Sequence, residues 1–186
     1  MKTTIIGLGI LLGFFWGCET RTFTYVSTVP KTLEYTVDQT GAFSENYTLY
    51  TDDFNDDLDL PEDAIIRGVS IESFAIQAES QEGNEASSVK MDCYAGSETE
   101  PFAKEVTLPV DLSLSYNAMS GLVSSAVSKL RDELEGFVVD SDPPSIAFRI
   151  EGDSDPVPGK RILVTIRIKV TVTVAYDIES EFVSGL

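Results

Sequence analysis

In the stretch RILVTIRIKVTVTVAYDI, the residues Ile162, Val164, Ile166, Ile168, Val170, Val172, Val174 and Tyr176 occupy every second position without a break. Side chains alternate between the two faces of a strand, so this period places one apolar row on one side of a sheet. The opposite row carries Thr165, Arg167, Lys169, Thr171 and Thr173, with Leu163 and Ala175 as exceptions. A helix would scatter these β-branched residues around its circumference and bury none of them as a set. At about 3.3 Å per residue, such a strand crosses a whole domain. The chain is therefore committed to a sheet with one buried face. The turn-rich DSDPVPGK before it predicts a hairpin with residues 145–152, where Ile146, Phe148 and Ile150 alternate.

Period-two alternation recurs upstream. RTFTYVSTVP carries Phe23, Tyr25 and Val29 and reads as a strand ended by Pro30. TLEYTV repeats the pattern with Leu33, Tyr35 and Val37, and NYTLYT adds Tyr47 and Leu49 after the break DQTGAFSE. In AIIRGVSIESFAIQAES, Val69 and Ile71 share one parity and Phe74, Ile76 and Ala78 the other. That change of phase predicts a β-bulge or bend near residues 72–74. After the polar turn QEGNEASS, VKMDCYAG reads as the partner of that strand, with Val89, Met91 and Cys93 on one face. EVTLPVDLSLS alternates Val106, Leu108, Val110, Leu112 and Leu114, and its Pro109 predicts an edge strand or an irregular position.

One stretch has another period. Met119, Leu122, Val123, Ala126, Val127, Leu130 and Leu134 recur at spacings of three and four. This predicts an amphipathic helix over residues 116–135, with Ser115 or Asn117 as its cap and Gly136 as its stop. The fold class expected is mainly β: a β-sandwich-like domain of about eight strands with that one helix packed against it. A half-barrel of long curved strands wrapped around the helix is the competing arrangement. No repeat or low-complexity linker divides the chain, so residues 18–186 are expected to form a single domain.

Composition narrows the chemistry. The chain has 31 acidic residues against 13 basic ones, a net charge of −18, and no histidine. The charge disfavours nucleic acid and anionic bilayers as direct partners. The absent histidine removes Ser-His-Asp and Cys-His catalysis and the usual zinc and copper ligand. Paired carboxylates could still serve acid–base chemistry, but no motif frames a nucleophile. Ser120, Ser124, Ser125 and Ser128 have no basic partner at a suggestive spacing; Lys129 adjoins Ser128 but points elsewhere. The domain is expected not to be an enzyme.

At the N-terminus, Lys2 precedes a short apolar run over residues 5–16, and polar residues begin at Glu19. Such a run is shorter than the ~20 residues a membrane span needs and has the proportions of a signal-peptide core. Gly17 stands directly before Cys18, after Phe15 and Trp16. This resembles the lipobox of bacterial lipoproteins, with a small residue before the cysteine that receives diacylglycerol; Phe15 and Trp16 replace the aliphatic and small residues usual there. The resemblance covers residues 1–18. It implies a signal peptide over residues 1–17, a lipid on Cys18, and export to a membrane-anchored place in the bacterial cell envelope, with a short tether over residues 18–22. Cys93 is then left without a partner and reads as a buried core thiol.

Three further features are candidate sites. Asp53, Asn55, Asp57 and Asp59, within the acidic loop TDDFNDDLDLPED, show the alternate spacing of a calcium loop. Leu58 stands where such a loop needs glycine, and Ala64 where it needs a bidentate glutamate. Calcium is accordingly the one cofactor candidate, against a simple solvated loop. The aromatic set Phe23, Tyr25, Tyr35, Phe43, Tyr47, Tyr50 and Phe54 could stack on sugars or serve a protein interface. A gap between the helix and the long strand could hold an acyl chain. The function expected is that of a cell-envelope lipoprotein with a non-catalytic β-sandwich for interaction or structure. Its partners would be the membrane, through Cys18, and an envelope protein or glycan. A carrier of lipid and a carbohydrate-binding surface domain are the alternatives.

Overall fold

The long alternating strand is the spine of the molecule. The computed structural model describes residues 19–110, 115–140 and 143–182; Cys18, the signal segment expected over residues 1–17, Leu112 and Leu114 lie outside them. Strand β1 spans Glu19–Thr40, β2 Phe43–Tyr50, β3 Ile65–Ser80, β4 Ser88–Ala95 and β5 Ala103–Pro109. The short β6 is Asn117–Ala118, β7 is Ser145–Asp155 and β8 is Arg161–Phe182. Two helices, α1 (Thr51–Leu58) and α2 (Ser124–Val139), complete the fold. The strands form two four-stranded antiparallel sheets, β1-β8-β3-β6 and β2-β7-β4-β5, packed face to face.

The row from Ile162 to Val174 is buried. Its neighbours continue the row sideways: Leu33 and Ile76 flank Ile168, and Tyr35 and Ala78 flank Ile166. The register slips between Ile71 and Ser73, which is the bulge expected from the phase change. It turns both Val69 and Phe74 to the same inner face. A second slip lies between Ile66 and Gly68. On the outer face Arg167 sits between Glu34 at 2.6 Å and Glu79 at 2.8 Å, so this cation meets acids on both neighbouring strands.

Several expectations are corrected. Pro30 does not end a strand: β1 runs through it, opposite Thr171. An edge strand donates to its single neighbour from alternate residues only, so a proline whose nitrogen faces outward removes no ladder bond. Strands β7 and β8 are not a hairpin; β7 pairs with β2 and β4, while β8 pairs with β1 and β3. The turn between them carries the chain from one sheet to the other. Asp153 accepts from the Gly159 N–H at 3.1 Å, and the Ser154 hydroxyl donates to the Val157 carbonyl at 2.8 Å. Strand β4 likewise pairs with β5 and β7 rather than with β3. Strand β5 is an edge and ends at Pro109, as its proline suggests.

The helix expected over residues 116–135 begins later and ends later. Residues 117–118 are taken by β6, which pairs with Ala75 and Ile76, so neither Ser115 nor Asn117 caps α2. Its N-cap is Val123, and Gly136 lies inside it because the last turn still buries Phe137 and Val138. The acidic stretch is not a loop. Residues 51–58 form α1, which buries Thr51, Phe54 and Leu58 and exposes its aspartates. Phe54 packs edge-on against Phe137 with ring centroids 5.7 Å apart, so the two helices meet at one flank of the core.

Cys93 is a free thiol with no exposed surface, in line with Val89 and Met91 on the inner face of β4. Burial pushes it from 9.0 up to about 12. Burial also holds the Tyr35 phenol far above its ordinary 10.0. Both groups keep their protons in the folded state after the unfolded chain has lost them. Stability is therefore fully present below about pH 9 and falls as pH rises toward 12. The fall steepens by about 1.4 kcal/mol per pH unit for each group that has ionised in the unfolded state. Urea midpoints between pH 8 and pH 10.5 measure it; a Cys93→Ala variant with an equally steep decline would remove the thiol from this account.

Candidate functional site

The inner face of the β1-β8-β3 sheet extends farther than the sheet that covers it. Along β1, Leu33 is 1% exposed and Val29 4%, but Tyr25 is 45% and Phe23 40% exposed. All four share one parity and so one face. On β8 the row passes from fully buried Val174 to half-buried Tyr176 and Ile178, which stand opposite Tyr25 and Phe23. Tyr25 and Tyr176 stack with centroids 5.8 Å apart. This end is an apolar shelf built by the strand period itself: the alternation continues after the second layer has stopped. Val26 and Ile65, 64% and 41% exposed, add apolar surface on the reverse side. There the buried Asp177 is held by Arg67 at 2.5 Å and by Thr24 at 2.6 Å. These bonds keep its carboxyl below the usual carboxylate range and pin all three strands at the base of the shelf.

The acidic run borders this shelf. The Ser27 hydroxyl donates to the Leu58 carbonyl at 3.1 Å, which fixes the end of α1 beside β1. The chain re-enters the sheet at Ile65 on β3, on the far side of β8. Residues 59–64 thus cross from one side of β8 to the other at the end of the core, with Leu60 packed inward and Asp59, Glu62 and Asp63 exposed. The calcium candidates are not brought together. Asp53 and Asp57 are one turn apart on α1, and Asn55, two residues from each, faces another side of the helix. Asp59 is its C-cap residue, in a left-handed conformation. Lys31 donates to the Asp57 carboxylate and to the Asp53 carbonyl. Among the described residues no group of three or more acidic or cysteine side chains is placed to hold a metal ion.

The aromatic set divides. Tyr35, Phe43 and Phe54 are core residues, Tyr47 meets Tyr35 edge-on at 6.2 Å, and Phe23, Tyr25 and Tyr50 are exposed. Ser124, Ser125 and Ser128 lie exposed on α2, and Ser120 precedes it. Ser125 donates to Glu100 at 3.2 Å. The inner faces of α2 and β8 belong to one continuous apolar cluster. A second feature lies on the outer face of the other sheet. There the Arg149 guanidinium sits 4.4 Å from the Tyr94 ring centre and pairs with Glu151 at 2.9 Å. Asn46, Ser97 and Thr99 join them around a shallow cleft of about 280 Å³. Sequence reasoning names Phe23 and Tyr25 of the shelf within the aromatic set but misses Tyr176 and Ile178, which join them across the β1–β8 pairing. Comparison with protein-family models, with curated proteins and with solved structures returns no match for this chain.

Proposed function

We propose that the chain is an exported envelope protein, held at a membrane by a lipid on Cys18, whose β-sandwich is a non-catalytic interaction module. One observation carries this reading. The apolar shelf, exposed at Phe23 and Tyr25 and half-buried at Tyr176 and Ile178, lies at the end of the sheet where β1 begins, one residue after Cys18. Contiguous exposed apolar surface on a soluble domain marks an interaction site. Aromatic side chains supply much of the energy at such sites. A tether this short would keep the shelf close to the membrane, within reach of other envelope proteins. A second reading, a neutral glycan held in the cleft, is favoured by the stacked Tyr94–Arg149 wall beside the Asn46 amide.

The anchor is tested by intact mass and N-terminal peptide analysis of the protein recovered from membranes. The expected peptide begins at Cys18 and carries a diacylglyceryl addition, and Cys18→Ser releases the protein from the membrane fraction. An unmodified Cys18, or an N-terminus beyond it, overturns the anchor.

A further inference from the structure

We infer that the shelf receives a partner-protein segment that is cationic and apolar in alternation; this rests on the interaction-module reading above. Tyr25, Tyr176 and Ile178 form an apolar floor continuous with the inner face of the sandwich. A facing layer in a sandwich packs about 10 Å above such a floor. The floor therefore has the geometry of an unfinished sandwich end, suited to an extended chain with every second residue apolar.

The wall of the shelf states the charge of that chain. Asp59, Glu62 and Asp63 are exposed on the segment that crosses the end of the core, and α1 adds exposed Asp52, Asp53, Asp56 and Asp57 behind it. Among the described ion pairs, Lys31–Asp57 is the one that engages this run. Among the described residues the other carboxylates of the wall make no ion pair, on a chain of net charge −18. Opposite charge on the incoming segment supplies steering and register, and like charge is rejected. A second copy of this chain would set one acidic wall against another. A bilayer is flat, and the wall and the second sheet stand on the side of the floor that it would have to approach. A segment alternating lysine or arginine with apolar residues satisfies floor and wall together.

The probe is a fluorescent alternating lysine–leucine octapeptide, titrated against the full mature protein and read by anisotropy at low and at about 300 mM salt. Tyr25→Ser with Tyr176→Ser removes the floor. Glu62→Gln with Asp63→Asn weakens the wall. Glu82→Gln with Glu85→Gln makes the same charge change in the β3–β4 turn. The floor and wall variants are each expected to bind at least about tenfold more weakly, the control within about twofold, and wild-type affinity to fall with salt. Unchanged thermal melting confirms that each variant is folded. Absent binding, equal binding by the floor variant, or equal loss in wall and control variants overturns the inference. So does Tyr25-dependent self-association, or Tyr25-dependent binding to phosphatidylcholine vesicles. A photocrosslinker at position 25 in intact cells separates the two readings. Capture of an acidic or neutral segment overturns the cationic partner and leaves the module standing. Capture of no protein overturns both.

Discussion

Replacing Ile166 by aspartate is expected to abolish cooperative folding, a loss of more than about 5 kcal/mol. Ile166 has no exposed surface and lies between Tyr35 on β1 and Ala78 on β3, both buried. A carboxylate there has no cation to meet, because the row on this face is apolar from Ile162 to Val174. The solvation lost by burying the charge is far larger than a single neighbouring hydroxyl could return, so the chain either protonates the group or opens the sheet. Ile166→Ala is milder, about 2–5 kcal/mol, since it leaves a cavity rather than a charge. The control is Lys169→Thr on the outer face, expected within about 1 kcal/mol of the parent. Far-ultraviolet circular dichroism and urea titration of the three variants make the comparison. A cooperative transition retained by Ile166→Asp would mean that the spine is not the centre of the core.

That asymmetry between the two faces of β8 is legible in the amino-acid sequence, because alternation reports which side of a strand is wet. The phase change at residue 72 is legible for the same reason, as is the buried position of Cys93. Pairing is not. Parity says which face a residue takes and nothing about which strand lies alongside, so the turn signal makes β7 the natural neighbour of β8. The actual connection crosses between sheets through a turn tied by Asp153 and Ser154, short polar residues that fit a hairpin turn equally well. Helix α1 is hidden by charge. Its apolar signal, Phe54 and Leu58 four residues apart, sits among aspartates that resemble a solvated loop. The shelf is hidden for a different reason. Phe23 and Tyr25 continue the core period, and a sequence does not say where the covering layer ends.

The second large effect concerns the seam that closes the sandwich between β5 and the segment leading to α2. Gly121→Ala is expected to destabilise by about 3 kcal/mol or more, the sum of backbone strain and overpacking. Gly121 has φ +72°, in the left-handed region that a Cβ disfavours, and an added Cβ would press into the Lys104 carbonyl oxygen. That oxygen cannot retreat freely. The Lys104 N–H donates to the Gly121 carbonyl at 2.8 Å, and the Val123 N–H donates to the Phe102 carbonyl at 2.9 Å, so the two segments are stitched at close range. Phe102, which stacks on Phe74 at 5.1 Å, carries the stitch into the core. Gly159→Ala separates the two contributions. Its φ is +81°, but nothing lies within 4 Å of its added Cβ, so it bears the strain alone, about 1–2 kcal/mol. Gly152→Ala provides the converse, because its φ is not left-handed while its Cβ would press into the Lys90 carbonyl oxygen and meet Met91 Cβ at 2.8 Å and Phe43 Cζ at 2.9 Å. Gly121→Ala and Gly152→Ala should therefore both exceed Gly159→Ala in thermal unfolding. Equal losses at positions 121 and 159 would show that the β5 seam yields, and that the left-handed backbone alone explains the glycine.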